Sequence, residues 1–593
     1  MKNHITASII LVFAIISGSF SQESGTIQSS HDSAMISDSL LKSSQSAMGE
    51  VFDTAHVESV PEAPVEENAD NSAREPEKEP SILAKFNGVA LEILFFDMAF
   101  GLIKVEKVDE EGLSVMGADG SNIVQTITFP LMVAVLLFGG LFFTFWFRFI
   151  NIRGFKHSVA VIMGKYDKPD HKGEITHFRA LTSALSATVG LGNIAGVAIA
   201  IQMGGPGAVF WMVLTAVFGM SAKFSSCTLS QLYRKFNADG TVSGGPMYYL
   251  DLGLREKGKG WGILGKVLGL MFAFFVIGGA IGGGNMFQIN QTVEAFVSTF
   301  KLPHGAVMNL GFAEVSATSF GIGVTVATLV GVVILGGIKR IGAATSRVVP
   351  IMVGIYVIAS VFIILTNFKE IPNALYLIVR MAFTDNAFYG GVAGVLVWGI
   401  KRASFSNEAG LGSAAIAHAA AKTDEPVREG IVAMIGPFID TIIVCSMTAF
   451  VVIISGAWKD PAIPQQAGVA LTTYAYGTVI TWFPYVLTGC IGLFAYSTMI
   501  SWCYYGERAW IYLLDHIQEG VGLKTILLYR LVFIFFIVFG AVNTLEDVLL
   551  FTDLLILSMA FPNIIGSVIL APKVLEMTRD YWSRYKSGQM ATF

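Results

Sequence analysis

Two short stretches place glycine, amide, hydroxyl and carboxylate groups where an apolar helix ought to run unbroken: TVGLGNIAG at 188–196 and KRASFSNEAGLGSAAIAHA at 401–419. Glycine inside a helix costs about 1 kcal/mol against alanine. An unpaired backbone group in hydrocarbon costs several kcal/mol. Interrupted backbone at that depth is tolerated where it is buried in protein or lines a watery cavity. There the N-terminal ends of half-helices offer N–H groups to anions, and freed carbonyls attract cations. The chemistry on offer is therefore recognition of small charged species. Glu408, Asp440 and Asp553 are ionisable groups inside apolar segments, a position that marks function by default. Asp440 and Asp553 can either relay protons or be paired inside the bundle. Glu408 can be a functional carboxylate or an acceptor for N–H groups freed by the break, and His418 reads as a packed or end-of-span histidine. Cys227, Cys445, Cys490 and Cys503 show no CxxC or Cys/His spacing and read as small packing residues. Gly190-x-Gly192-x-x-Ala195 matches a relaxed dinucleotide fingerprint, but no strand precedes it and no acid follows at the required distance. Gly260-WGIL-Gly265-Lys266 resembles a phosphate loop, but Val267 stands where Ser or Thr is needed. With no nucleotide motor, nucleophile–base pair or HExxH spacing, an enzyme is the least favoured class, and any transport would be gradient-driven or passive.

The elements that carry these groups are membrane spans. The chain has 593 residues, 53% hydrophobic and only 14% charged, and a mean hydropathy of +0.62. Soluble domains carry about 25% charged residues. The reading is an all-α polytopic membrane protein with about eleven stretches able to cross ~30 Å of hydrocarbon, near 128–149, 178–202, 207–234, 262–298, 318–337, 347–366, 390–420, 429–455, 479–503, 525–542 and 548–571. Lys and Arg alternate between loops: Arg148, Arg153, Lys156, Lys165, Lys168 and Lys172 fall on one side, joined there by Arg234, Lys235, Arg255, Lys257 and Lys259, then Lys339, Arg340 and Arg347, then Lys573, Arg579, Arg584 and Lys586. The opposite loops offer little beyond Lys301, Lys369, Arg380 and Lys459. That bias places the N-terminus in the periplasm and the tail, 572–593, in the cytoplasm of a bacterial inner membrane. Residues 1–20 have the pattern of a signal peptide, with an apolar core and a Ser17-x-Ser19 pair. Residues 21–80, rich in Ser, Glu, Asp, Ala and Pro, are expected to be a disordered exported extension. Residues 81–127 are expected to be periplasmic: an interfacial helix over 86–103, then a hairpin or extended loop over 104–127 with Gly-containing turns at 117–120.

The two interrupted stretches each open a group of five spans, 178–366 and 390–571, within a transporter domain over 128–571; 128–149 stands outside both groups. An odd number of spans per group forces opposite orientations on the two halves, the arrangement of an inverted repeat. Asn407-Glu-Ala-Gly also echoes Asn193-Ile-Ala-Gly.

TVGLGNIAGVAIAIQMGGPGAVFWM, SGGPMYYL, SNEAGLGSAAIAHAAAKTDEPVREG, AYSTM and YYGERA resemble the alanine/glycine:cation symporters, also called sodium:alanine symporters, over about 130–575. The resemblance implies a leucine-transporter-type inverted repeat of five plus five helices, here with one extra N-terminal transmembrane helix. It implies sodium-coupled uptake of a small neutral amino acid, alanine or glycine, by alternating access, with Na⁺ as the co-transported ion and no organic cofactor. It places Gly190 and Gly192 at an unwound turn where their N–H groups bind the substrate carboxylate, beside Asn193. Ser404, Ser406 and Asn407 would hold the substrate amine or carboxylate; Gln288, with Asn285 one turn away, would reach the pocket, and Phe287 could cap it. Sodium would be held by the hydroxyls of Ser497 and Thr498 and the carbonyls of Ser186, Val189 and Phe494, hard oxygen ligands suited to a hard cation. The competing readings are a proton-coupled or exchange carrier that uses Asp440 or Glu408, and a membrane sensor whose exported extension meets a partner. The lipid bilayer is the expected surrounding, no nucleic-acid partner is expected, and the sequence sets no oligomeric state.

Overall fold

The computed structural model describes residues 81–93, 99–106, 124–168, 170–237, 240–303, 305–309, 314–335, 338–384, 391–464 and 466–590. The expected signal peptide, the exported extension and the turns at 117–120 lie outside the described residues. The described chain is mostly helical. Seven of its helices are long and apolar enough to cross a membrane, or eight if the bent pair His177–Thr188 and Gly192–Gly204 is one span.

The N-terminal part differs from expectation. The helix there, α1, runs Ile82–Ile93, and 99–106 is a strand, β1 (Ala99–Glu106), paired antiparallel with β2 (Val124–Pro130). Pro130 ends the ladder and opens α2, Leu131–Trp146, because proline cannot donate to a sheet but suits a helix start. The first span therefore begins at 131 and holds 16 residues, shorter than read from the sequence.

The first interrupted span is α3 (His177–Thr188), three residues of turn, a π-helical turn at Gly192–Gly196, and α4 (Val197–Gly204), bent by 56°. Then follow α5 (Gly207–Leu232), α6 (Lys259–Ile281) joined through a π turn at Gly282–Met286 to α7 (Phe287–Phe300), α8 (Ala317–Ile334) and α9 (Ile338–Thr366). The amphipathic α10 (Ile371–Phe383) leads to the second interrupted span, α11 (Gly391–Asn407) and α12 (Ala414–His418). Next come α13 (Pro426–Ala433), a π segment at Phe438–Cys445 and α14 (Ser446–Ile454), then α15 (Val469–Gly477), α16 (Phe483–Asp515), α17 (Ile526–Val542), α18 (Leu545–Ser558) and α19 (Ala560–Lys586). The last helix continues to Lys586, so the basic tail is largely helical. Both broken helices are wrapped on every side: among the residues of 180–204 and 399–421, nearly all are buried, as interrupted backbone must be in an apolar medium.

Candidate functional site

The second break is built by backbone chirality. After Asn407 the chain turns through Glu408 (φ 55), Gly410 (φ 85) and Gly412 (φ 93). Glycine takes these angles freely; Glu408 does not, and such strain clusters at functional sites. Each of the three π segments lies in one of the spans that meet at the breaks, the usual setting of π bulges.

The breaks are tied together by a carboxylate. Asp440, fully buried on the Phe438–Cys445 segment, accepts from Asn193 Nδ2 at 2.8 Å, from Ser406 Oγ at 2.5 Å and from Thr441 Oγ1 at 2.9 Å. One acid thus bridges the first broken helix to the second. Asn193 Oδ1 turns back to accept the Gly190 N–H at 2.9 Å, and Gln288 Oε1 accepts the Leu191 N–H at 3.2 Å. In this conformation the Gly190 N–H is held by the protein itself, contrary to the expectation of an open donor. Asn407 Nδ2 donates to Thr441 Oγ1 at 2.9 Å, and its Oδ1 caps the Ala409 N–H at 2.8 Å. Ser404 is buried with its hydroxyl unpartnered.

Asn285 does not join this group. Its Nδ2 donates to the Phe533 carbonyl of α17 at 2.7 Å. Gln288 does join: its Nε2 donates to Gly283 O at 2.9 Å across the π turn. That extra residue sends two amides spaced by three to different neighbours.

A small cavity lies between the elements, bounded by Thr188, Gly192, Gly283, Gln288, Phe405, Trp502, Ile556 and Ala187, with about 10 Å³ of free space, enough for about one water. Trp502 is fixed by its Nε1–H bond to Ala187 O at 3.1 Å. Phe405, not Phe287, faces the cavity; Phe287 packs edge-on behind it at 5.1 Å.

Four of the five expected cation ligands, Ser186, Phe494, Ser497 and Thr498, lie in one hydrogen-bonded cluster. Thr498 Oγ1 donates to Ser186 O at 3.2 Å, Ser186 Oγ to Ser497 O at 3.1 Å, Ser501 Oγ to Ser186 Oγ at 2.9 Å, and Ser497 Oγ to Phe494 O at 3.0 Å. Val189 is buried as the first residue of the turn. A Cβ on Gly190 would stand 2.5 Å from Thr498 Oγ1, so glycine is what lets the turn reach these hydroxyls. Ser501, one turn beyond Ser497 on the same helix face, was not among the expected ligands.

Two polar seals flank the cavity. On one side Asp553 of α18 pairs with fully buried Arg402 of α11 and, at 3.1 Å, with Lys401, which is the paired alternative of the two readings given for it. One turn along the same two helices, Phe405 and Ile556 meet over Gly283. The register 402:553 and 405:556 makes the pair a layer above the cavity, toward the end of α18 whose first residues, Leu545 and Glu546, line an open vestibule of about 670 Å³. At the other end of the broken helices, main chain closes on main chain. Glu174 N–H donates to Ala420 O at 2.8 Å and Lys422 N–H to Ile175 O at 2.7 Å. Arg234 adds bonds to the carbonyls of Ala419, Ala421, Lys172 and Thr423. Beneath lies a buried group in which Glu429 accepts from His177 and, at 2.5 Å, from His418, which gives His418 a partner at the end of its helix.

A bundle of apolar helices in which two broken ones meet around a small cavity, with a seal at either end, has the build of a membrane carrier. The chain belongs to the sodium:alanine symporter family, whose model matches residues 116–593. It is 40% identical over 453 residues to the sodium/alanine symporter AgcS of Methanococcus maripaludis, covering 76% of this chain and 94% of that one. It is 42% identical over 469 residues to an uncharacterized transporter of Haemophilus influenzae, covering 77% and 94%. The solved structure of MhsT in complex with L-phenylalanine aligns with 68% of this chain and 99% of that one, at 16% identity and a TM-score of 0.44, too loosely to position residues. The family is one of transporters, and it makes the chain a multi-pass secondary carrier of amino acids.

Proposed function

We propose that the protein is a sodium-coupled symporter of a small neutral amino acid, alanine or glycine, working by alternating access in a bacterial inner membrane, with the vestibule facing the periplasm. The observation that carries this is the cluster of neutral oxygens from Ser186, Phe494, Ser497 and Thr498, directly against the first break at Gly190. Carbonyls and hydroxyls alone suit a hard monovalent cation. Val189 O supplies a further ligand there. The substrate lies at the Thr188–Gly192–Gln288 wall, its carboxylate toward the first turn and its amine toward Ser406, Asn407 and Ser404. Phe405, Trp502 and Ile556 wall the cavity there, which must widen to admit even a small amino acid. The Gly190 N–H passes from Asn193 to the substrate as the site loads. One charge moving through 100 mV supplies about 2.3 kcal/mol, enough for tens-fold accumulation.

The test is equilibrium binding of alanine to purified protein across Na⁺ concentrations at fixed ionic strength and pH. Affinity should rise with Na⁺, and the double variant Ser497→Ala/Thr498→Ala should abolish the rise. Alanine binding that ignores Na⁺ sinks the coupling. A second reading, proton coupling, draws on Asp440, a buried acid whose hydrogen bonds span both breaks. Alanine accumulation driven by an inward proton gradient in the absence of Na⁺ would favour it.

A further inference from the structure

Lys223 lies in the middle of α5 and is only 3% exposed. Its Nζ donates to the Asn407 carbonyl at 3.1 Å. That carbonyl is the last of α11, at the end of a half-helix where no further turn supplies donors and the negative end of the helix dipole concentrates. The pocket is shaped for the ammonium. Across from it stands Gly436, where a Cβ would lie 2.9 Å from Nζ. One turn further along the same span is Asp440, 0% exposed, and the residue after Asn407 is Glu408, 2% exposed. Glu408 accepts from Ser413 through one oxygen at 2.5 Å, while its other oxygen, also buried, has no partner. Two buried carboxylates thus lie within one residue or one turn of the groups that line the ammonium's pocket, and Asp440 also bonds Asn193 of the first break. The oxygens gathered around Ser186 and Thr498 beside the first break are neutral hydroxyls and carbonyls.

We infer that Lys223 is a resident cation of the transport cycle: its ammonium does at the second broken helix what a mobile sodium does at the first, so one mobile ion serves both breaks. The inference rests on the reading of the chain as a sodium-coupled carrier. An intramembrane charge held on a half-helix C-terminus is placed as coupling ions are in carriers with discontinuous helices. A ligand tethered by its own side chain cannot leave with the substrate. Lys223 is a positioning residue: it holds the Asn407–Glu408 turn, and through it Ser406, in the substrate-binding geometry.

The experiment titrates Na⁺ against alanine binding to full-length purified protein and reads the logarithmic slope of affinity against free Na⁺, which counts the ions bound with the substrate. Wild type should give a slope of about one. Lys223→Gln keeps a hydrogen-bond donor but removes the charge; a second Na⁺ should then be required, raising the slope to about two and weakening apparent Na⁺ affinity at least tenfold. Lys223→Arg should keep the wild-type slope. Lys223→Met repeats the test without the donor, should Lys223→Gln prove poorly folded. A slope unchanged in Lys223→Gln or Lys223→Met, whatever happens to alanine affinity, overturns the inference. So does loss of alanine binding in all three variants at every Na⁺ concentration, which would make Lys223 a packing residue. Wild-type binding that does not depend on Na⁺ is a different failure, that of the coupling itself.

Discussion

Asp440→Asn is the sharpest perturbation of the bridge between the two broken helices. The substitution keeps shape and volume and removes only the charge. In the native chain Oδ1 accepts from Asn193 Nδ2 at 2.8 Å, and Oδ2 accepts from the hydroxyls of Ser406 at 2.5 Å and Thr441 at 2.9 Å. Hydrogen bonds to a charged group are worth about 1.5–3 kcal/mol net, neutral ones about 0.5–1.5. With the amide oxygen kept on Asn193, the new NH₂ faces two hydroxyls that must rotate to accept. Three bonds each lose about 1 kcal/mol of charge assistance, so the bridge weakens by about 3 kcal/mol. Against this, burying a neutral amide costs far less than burying a carboxylate, so the folded protein as a whole should be no less stable. The expected signature is a split: an unchanged or raised Tm, with alanine affinity at saturating Na⁺ down by about 100-fold, since 1.36 kcal/mol is a factor of ten. Thermal unfolding and equilibrium binding on the same preparation read both quantities. Wild-type alanine affinity in Asp440→Asn would refute the reasoning, because the acid would then not set the relative position of the breaks. A fall in Tm matching the fall in affinity would also refute it, by making the acid an ordinary structural group.

Three further expectations follow from single contacts. Gly190→Ala drives a methyl to 2.5 Å from Thr498 Oγ1 and 3.3 Å from Gln288 Oε1; overpacking of about 1–3 kcal/mol should lower apparent Na⁺ affinity several-fold or more in the binding titration, and an unchanged titration would place the turn elsewhere. Arg402→Met leaves Asp553 buried with Lys401 as its remaining partner, at a cost of about 3–5 kcal/mol, whereas Arg402→Met/Asp553→Leu should recover most of the lost Tm; equal Tm values for the two variants would contradict a desolvated pair. His157, in the short helix Phe155–Ile162 outside the spans, bonds Tyr581 Oη at 2.7 Å and is packed among Tyr166, Trp582 and Tyr585. Burial first, then Arg428 and Lys165, push its pKa down from 6.5 to about 4. Its folded pKa is below its unfolded one, so its contribution to stability is complete above pH 6.5 and is lost as pH falls from there toward about 4. Stability measured across that window should flatten in His157→Phe; an unaltered profile would show that another group titrates.

What could be read from the sequence was what departs from an apolar helix locally. Glycine beside asparagine at 190–193 and 407–412 announced both breaks, because Gly410 and Gly412 take positive φ and Gly190 permits the close approach to Thr498. The hydroxyl pair Ser497–Thr498 was singled out by the family resemblance, since hydroxyls in an apolar helix by themselves read as bonding their own helix carbonyls. Side-chain direction was not legible. Asn285 and Gln288 look equivalent in a glycine-rich span, yet the π turn at Gly282–Met286 sends one to α17 and the other to the first break. Phe405 and Trp502 shape the cavity but read as ordinary apolar residues. Asp440 was visible as an acid at depth, but its three donors come from 193, 406 and 441, a meeting only tertiary structure makes. Lys223 was read simply as part of a span, because one lysine in 26 residues of α5 disturbs no hydropathy window. The helix expected over 86–103 gave way to a strand from Ala99 because pairing with Val124–Pro130 overrides local propensity.

The closure between 172–175 and 420–423 has a kinetic consequence. It is made of peptide groups donating to peptide groups, with Arg234 gripping four further carbonyls. If the chain works by alternating access, each of these groups would find water on opening, so the open and closed forms would exchange near-equivalent hydrogen bonds and differ little in free energy. The barrier between them is another matter, since the contacts share one short stretch of backbone and must part together. A gate of this kind is poised at equilibrium but slow to move. Turnover limited by it would rise steeply with temperature while the affinity for cargo stayed nearly flat.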